Sequence, residues 1–143
     1  MSDKENEFRG QGRRMTRQRR LILSELQATD AHPTADDVYR AVRRTLPRIS
    51  LGTVYRNLEV LAECGAIKRI EGGPQRRYDA DLYPHVHIRC EQCGRVDDVE
   101  VREIPAAVDL LEDAGGYDVQ GYRIEYVGVC PSCLDDRKAD ETA

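Results

Sequence analysis

The sequence predicts an α+β fold in two parts, three helices and a hairpin followed by a small α/β segment closed by cysteines. Three observations carry this prediction. Three stretches between residues 16 and 65 each begin with a polar capping residue and continue with apolar residues at helical spacing. Two short alternating runs flank the paired glycines Gly72 and Gly73. Two Cys-x-x-Cys pairs, Cys90/Cys93 and Cys130/Cys133, lie on either side of a stretch that alternates like strands.

Taken in order, residues 1–12 are polar, contain Gly10 and Gly12, and read as a mobile arm. Thr16 is a suitable N-cap for a helix over about 16–28, with Ile22, Leu23 and Leu26 on its apolar face. Thr34 caps a second helix, with Asp37 three residues on in a capping-box position. Ala35, Val38, Tyr39, Val42 and Leu46 form its stripe, and Pro47 is expected to end it. Ser50 caps a third helix with the stripe Leu51, Val54, Leu58, Leu61 and Ala62, closed by Gly65. The runs 66–70 and 75–79 then read as a hairpin.

Three helices followed by a basic hairpin is the order of a winged helix-turn-helix, so residues 1–80 are expected to form a DNA-binding domain. The third helix would enter the major groove with Thr53, Tyr55, Arg56 and Asn57. Arg17, and Arg69, Arg76 and Arg77 on the wing, would supply further contacts, the wing arginines to phosphates. Charge supports this division. Residues 1–80 carry 16 Lys/Arg against 11 Asp/Glu, whereas residues 81–143 carry 6 against 15.

Residues 81–84 read as a linker. Beyond them, His85–Arg89 and Val96–Val101 alternate like strands around a Cys-x-x-Cys-Gly turn, and Pro105 opens a helix with the stripe Ile104, Ala107, Val108 and Leu111. Tyr117–Val129 alternates again as one or two strands, and residues 135–143 read as a charged tail. Residues 85–143 are too few to hold a large core alone, so this domain is expected to be stapled by metal and to dimerise.

The four paired cysteines can close a tetrahedral thiolate shell, which selects Zn²⁺ and leaves no open position for substrate. Cys90, Cys93, Cys130 and Cys133 are therefore expected to form a structural zinc site, with Cys64 left as a packed residue. The chain has three histidines, His32, His85 and His87. In a strand, His85 and His87 point to the same face. With Asp79, Asp97 and Asp98 close in sequence or on the next strand, they suit a harder ion such as Fe²⁺, Mn²⁺ or Zn²⁺. If His32 joins that ion, metal bridges the two halves. Absence of a long apolar run or an apolar N-terminal segment points to a soluble cytoplasmic protein with no membrane partner.

With these residues assembled, the chain resembles the ferric uptake regulator family over about residues 13–134. The carrying segments are His32–Tyr39, Ile49–Leu58, Arg77-Tyr78-Asp79, His85-x-His87-x-x-Cys90-x-x-Cys93-Gly94 and Gly128-Val129-Cys130-x-x-Cys133. The resemblance implies a homodimeric, metal-dependent repressor of double-stranded operator DNA. It lies nearest the peroxide-sensing branch, which implies that Fe²⁺ or Mn²⁺ is held by His32, Asp79, His85, His87 and Asp98. It further implies that hydrogen peroxide acts through metal-catalysed oxidation of His32 or His85. Iron-sensing members carry Glu where this chain has Asp79, and a further site needing an acid between the histidines and a late histidine. Here Val86 stands between them and no histidine follows His87. The alternative implied is an iron- or manganese-availability regulator. A zinc-dependent hydrolase is disfavoured by the lack of an oxyanion motif or nucleophile elbow, and no enzyme activity is expected.

Overall fold

The computed structural model describes residues 13–103 and 111–143. The predicted arm over residues 1–12 and the predicted helix opening at Pro105 lie outside these residues. The chain divides into two compact units between Tyr83 and Pro84.

In the first unit, α1 spans Arg17–Gln27, and the Thr16 hydroxyl accepts from the Arg19 amide to satisfy an orphan donor of its first turn. Helix α2 spans Ala35–Val42 with the full capping box: the Thr34 side chain accepts from the Asp37 amide while Asp37 accepts from the Thr34 amide. The sequence placed its end at Pro47, but α2 stops at Val42. The Thr45 and Leu46 amides both turn back onto the Val42 carbonyl, and Leu46, preceding a proline, is biased away from helical backbone.

Helix α3 spans Leu51–Glu63, with Ser50 as its side-chain cap. It ends in a left-handed Gly65 at φ 73°, where Ala66 donates to the Leu61 carbonyl and Gly65 to that of Ala62. That pairing is the Schellman stop, which needs a residue without Cβ strain at the left-handed position. Val54, Leu58 and Leu61 are fully buried against Ile22, Val38 and Val42 of the other two helices. Each such side chain contributes about 1.5–3 kcal/mol through removal from water. Strands β1 (Lys68–Ile70) and β2 (Arg77–Asp79) pair antiparallel, Arg69 opposite Tyr78, and Tyr78 joins the same core. Three helices and a two-stranded wing are therefore present as the sequence predicts.

The second unit is built on β3 (Val86–Cys90), the middle strand of a sheet ordered β4-β3-β5. Strand β4 (Val96–Val99) pairs with it antiparallel and β5 (Glu125–Gly128) parallel. One expectation is met at its lower count and one is corrected here. The run Tyr117–Val129, expected to hold one or two strands, carries one, Glu125–Gly128. Residues 117–124 have the right period but no sheet neighbour among the described residues, and Tyr117 is 82% exposed. The tail predicted from Asp135 is instead the body of α4 (Pro131–Glu141), started by Pro131 and anchored where Arg137 donates to Gln92 at 2.9 Å. Packing in this unit gathers the buried Cys90, Cys130 and Cys133 with Val129 into one cluster. No helix among the described residues is long and apolar enough to cross a membrane.

Candidate metal centres

The thiolate centre follows from two turns. Strand β3 ends at Cys90, and a tight turn through Gly94, at φ 77°, returns the chain as β4. Cys130 is the N-cap of α4, which sets Cys133 one turn in. The four Sγ atoms lie within 4.8 Å of one another, with Cys93 and Cys130 sulfurs 3.8 Å apart. None of the five cysteines is in a disulfide. Backbone amides of Cys130 and Cys93 donate to Cys90 Sγ at 3.3 and 3.5 Å, and these bonds hold the Cys90 thiol well below its usual range. Hydrogen bonding to the neighbouring Cys130, together with burial, pushes the Cys133 thiol up instead. Four sulfurs this close cannot all ionise without a cation among them, and Zn²⁺ answers that requirement. Cys64 is separate: it is the C-cap of α3 and packs in the helical core.

Two of the three histidines belong to the second unit and one to the first. In the second unit, His85 and His87 share a face, their rings edge to face with centroids 4.6 Å apart. His87 pairs across the ladder with Asp98. Both imidazoles direct Nε2 at the same Asp98 oxygen, His85 at 3.2 Å and His87 at 3.4 Å. Asp97, the other acid on β4, points elsewhere and accepts from Arg95 at 2.8 Å. Two imidazole nitrogens and one carboxylate are a donor set for Fe²⁺, Mn²⁺ or Zn²⁺.

In the first unit, His32 lies between α1 and α2 and is 2% exposed. Its Nδ1 stands 3.6 Å from Asp79 at the end of β2, itself 5% exposed. His32 has φ 45°, the left-handed region, the one such non-glycine residue among those described. Two hydrogen bonds to β2 hold the strained segment. Arg77 Nη1 donates to the His32 carbonyl at 3.1 Å, and the Tyr78 amide donates to the Pro33 carbonyl at 3.1 Å as part of an isolated antiparallel bridge between Thr34 and Arg77. A buried imidazole fixed by backbone strain beside a buried carboxylate is a preorganised pair of donors.

The residues assigned to DNA are arranged less uniformly than the sequence suggests. Tyr55 and Arg56 are exposed on α3 and Arg17 on α1. Thr53 is half-buried, its hydroxyl 2.8 Å from that of Ser50. Asn57 is corrected: the sequence set it on the exposed face, but it is 5% exposed and its amide donates to the Thr53 carbonyl. The wing arginines are already engaged, Arg69 and Arg76 by Glu59 and Arg77 by the His32 carbonyl. Sequence reasoning missed Glu59, whose partners come from a hairpin that must first fold back onto α3. It also missed the Arg89–Glu125 pair at 2.8 Å, which ties β3 to β5.

The model of the ferric uptake regulator family matches residues 10–127. The chain belongs to that family. Among its relatives, the peroxide-responsive repressor PerR of Staphylococcus aureus is 38% identical over 129 residues, 90% of this chain and 87% of that one. PerR of Staphylococcus saprophyticus is 35% identical over 136 residues, covering 94% and 92%. Among solved structures, a zinc-bound manganese uptake regulator superposes with a TM-score of 0.69 at 29% identity, covering 90% of this chain and 99% of that one. The family thus includes relatives named for response to peroxide and to metal, and both metal centres fall on segments that carry its motifs.

Proposed function

We propose that this member of the ferric uptake regulator family is a metal-dependent transcriptional repressor that senses peroxide in the cytoplasm and has no enzymatic role. Residues 1–80 bind double-stranded operator DNA, residues 85–143 form the homodimer, and Cys90, Cys93, Cys130 and Cys133 hold structural Zn²⁺. The observation that carries the sensing reading is the convergence of His85 and His87 on one oxygen of Asp98. The buried His32–Asp79 pair supplies the remaining donors of the set that the family resemblance assigns to the regulatory ion. Identity of 35–38% to peroxide-responsive repressors over most of the chain supports the branch.

A bound Fe²⁺ supplies one-electron chemistry toward peroxide beside its own ligands, whereas Mn²⁺ supplies binding without that reactivity. The chain's part is to hold imidazoles and carboxylates in place. Addition of oxygen to the His32 or His85 ring spoils a donor nitrogen, the donor set fails, and DNA is released.

The test uses a duplex selected by the Mn²⁺-loaded protein from a random-sequence library. Footprinting of the Fe²⁺-loaded protein on that duplex, with and without micromolar peroxide, should show release, with oxygen added to the peptide holding His32 or His85. Unchanged binding and unmodified peptides would sink the proposal. Metal-reversible binding without a peroxide response would instead make the protein an iron- or manganese-availability regulator.

A further inference from the structure

Glu59 lies on α3 one turn beyond Tyr55 and Arg56, so its carboxylate sits beside the two exposed residues expected to meet DNA. A negative charge there repels phosphates, and its use must lie elsewhere. Four donors converge on it. Arg69 Nε and Nη2 reach Oε2 at 3.1 and 2.7 Å, while Arg76 Nη1 and the Tyr78 hydroxyl reach Oε1 at 3.0 and 3.1 Å. Arg69 is on β1, Tyr78 on β2, and Arg76 at the foot of the turn between them, so one carboxylate grips both strands and the loop. Arg76 Nε also reaches Glu71 at 3.1 Å across that loop. The hairpin has three paired positions on each strand, and a two-stranded hairpin of that length has little stability of its own. Its angle is therefore set by what it is tied to.

We propose that Glu59 is the positioning residue of the DNA-reading surface: it fixes the wing against α3 and commits Arg69 and Arg76 to that task rather than to phosphate contacts. The inference rests on the DNA-binding reading above and changes its residue assignments. Of the three wing arginines assigned to phosphates, two belong to the clamp and the third, Arg77, fastens the His32 segment. Of the four α3 residues assigned to the groove, the exposed Tyr55 and Arg56 remain.

Electrostatics and positioning predict opposite signs for the same variant, which makes the proposal testable. Glu59→Gln removes a negative charge from a surface facing a polyanion, so a purely electrostatic role predicts tighter binding. Positioning predicts that affinity of the Mn²⁺-loaded protein for the selected duplex falls about fivefold, while affinity for a random duplex of equal length does not fall. Arg76→Gln, which breaks one of the four bonds to that carboxylate, should give a smaller loss in the same direction, and the double variant should lose no more than Glu59→Gln alone, since the Arg76 bond is already gone there. Tyr78→Phe, which keeps the ring buried and removes one donor, should give a smaller loss in the same direction. Amide hydrogen exchange over residues 68–79 should speed up in all four variants without DNA, with exchange in α1 and α2 unchanged.

Tighter binding by Glu59→Gln, additive losses in the double variant, or a salt dependence lowered by about one unit in Arg76→Gln alone would overturn the proposal. If the wild-type protein binds no duplex, the DNA-binding reading fails. The exchange measurement then still decides whether Glu59 holds the wing, and unchanged exchange would overturn that as well.

Discussion

His87 sits directly opposite Asp98 in the β3–β4 ladder, and its Nε2 approaches Asp98 Oδ1 to 3.4 Å. A cross-strand pair on one face has its Cβ atoms about 4.5–5.5 Å apart, so the ladder itself sets the spacing of nitrogen and oxygen donors. His87→Ala is therefore expected to lower Mn²⁺ affinity by more than about tenfold, in line with the effect of disturbing ligand shells generally. Titration with Mn²⁺ checks this, and zinc content should stay at the wild-type level.

Cys130→Ser removes a sulfur from the buried cysteine cluster of the second unit. The expected outcome is loss of zinc together with loss of ordered structure over residues 84–143, while α1–α3 stay folded. Metal analysis and amide exchange check both halves. Cys64→Ser, in the other core, should keep its zinc.

Leu58→Ala opens a cavity where α3 meets α1 and α2, since Leu58 is 0% exposed. A destabilisation of about 2–5 kcal/mol is expected from lost transfer energy and the residual void. Denaturant unfolding followed through the first unit checks this. Zinc retention in the same variant separates a core defect from a metal defect.

Hydrogen bonds from Arg69 hold the Glu59 carboxyl below its usual range, and burial with the bond to Glu59 pushes the Tyr78 hydroxyl up to about 12. For a carboxyl depressed in the folded state, the unfolded chain binds the proton more readily. The stabilisation is thus complete above the unfolded value near 4.5 and fades as pH falls through the folded one. Wild type and Glu59→Gln should differ in stability near pH 7 and converge as pH falls through the depressed value of the folded state. A constant difference across that range, measured by denaturant unfolding, would contradict the assignment.

Asp79→Glu lengthens the carboxylate that stands 3.6 Å from His32. A longer arm fills coordination space that a shorter one leaves open, so this variant should need more peroxide to release DNA while keeping Mn²⁺-dependent binding. Peroxide dose curves on the selected duplex check it.

Local chemistry was the most legible part of this chain. Thr16, Thr34, Ser50 and Gly65 each act at the helix end where the sequence put them, because a cap is a bond between residues three or so apart. His85 and His87 were legible for the same reason, through the two-residue period of a strand. What escaped depends on partners distant in sequence. Asn57 is at the edge of the α3 stripe, where helical phase alone does not decide burial, and the packing of α3 turns it inward. Helix α4 buries only Cys133 and so lacks the apolar stripe that announces a helix, leaving its charges to read as a tail. Residues 117–124 alternate without a sheet to join among the described residues. Glu59 carried no sequence signal, since its donors are 10, 17 and 19 residues away.

Strand β3 carries ligands of both kinds, His87 within it and Cys90 at its end. Three positions separate them, an odd number, and successive side chains of a strand leave on opposite faces. Imidazole and thiolate are thereby held back to back. Pleating alone forbids a hybrid shell of mixed sulfur and nitrogen from this strand, whatever the order in which ions arrive. In the folded chain, soft and hard donors are thus sorted by backbone geometry as well as by affinity.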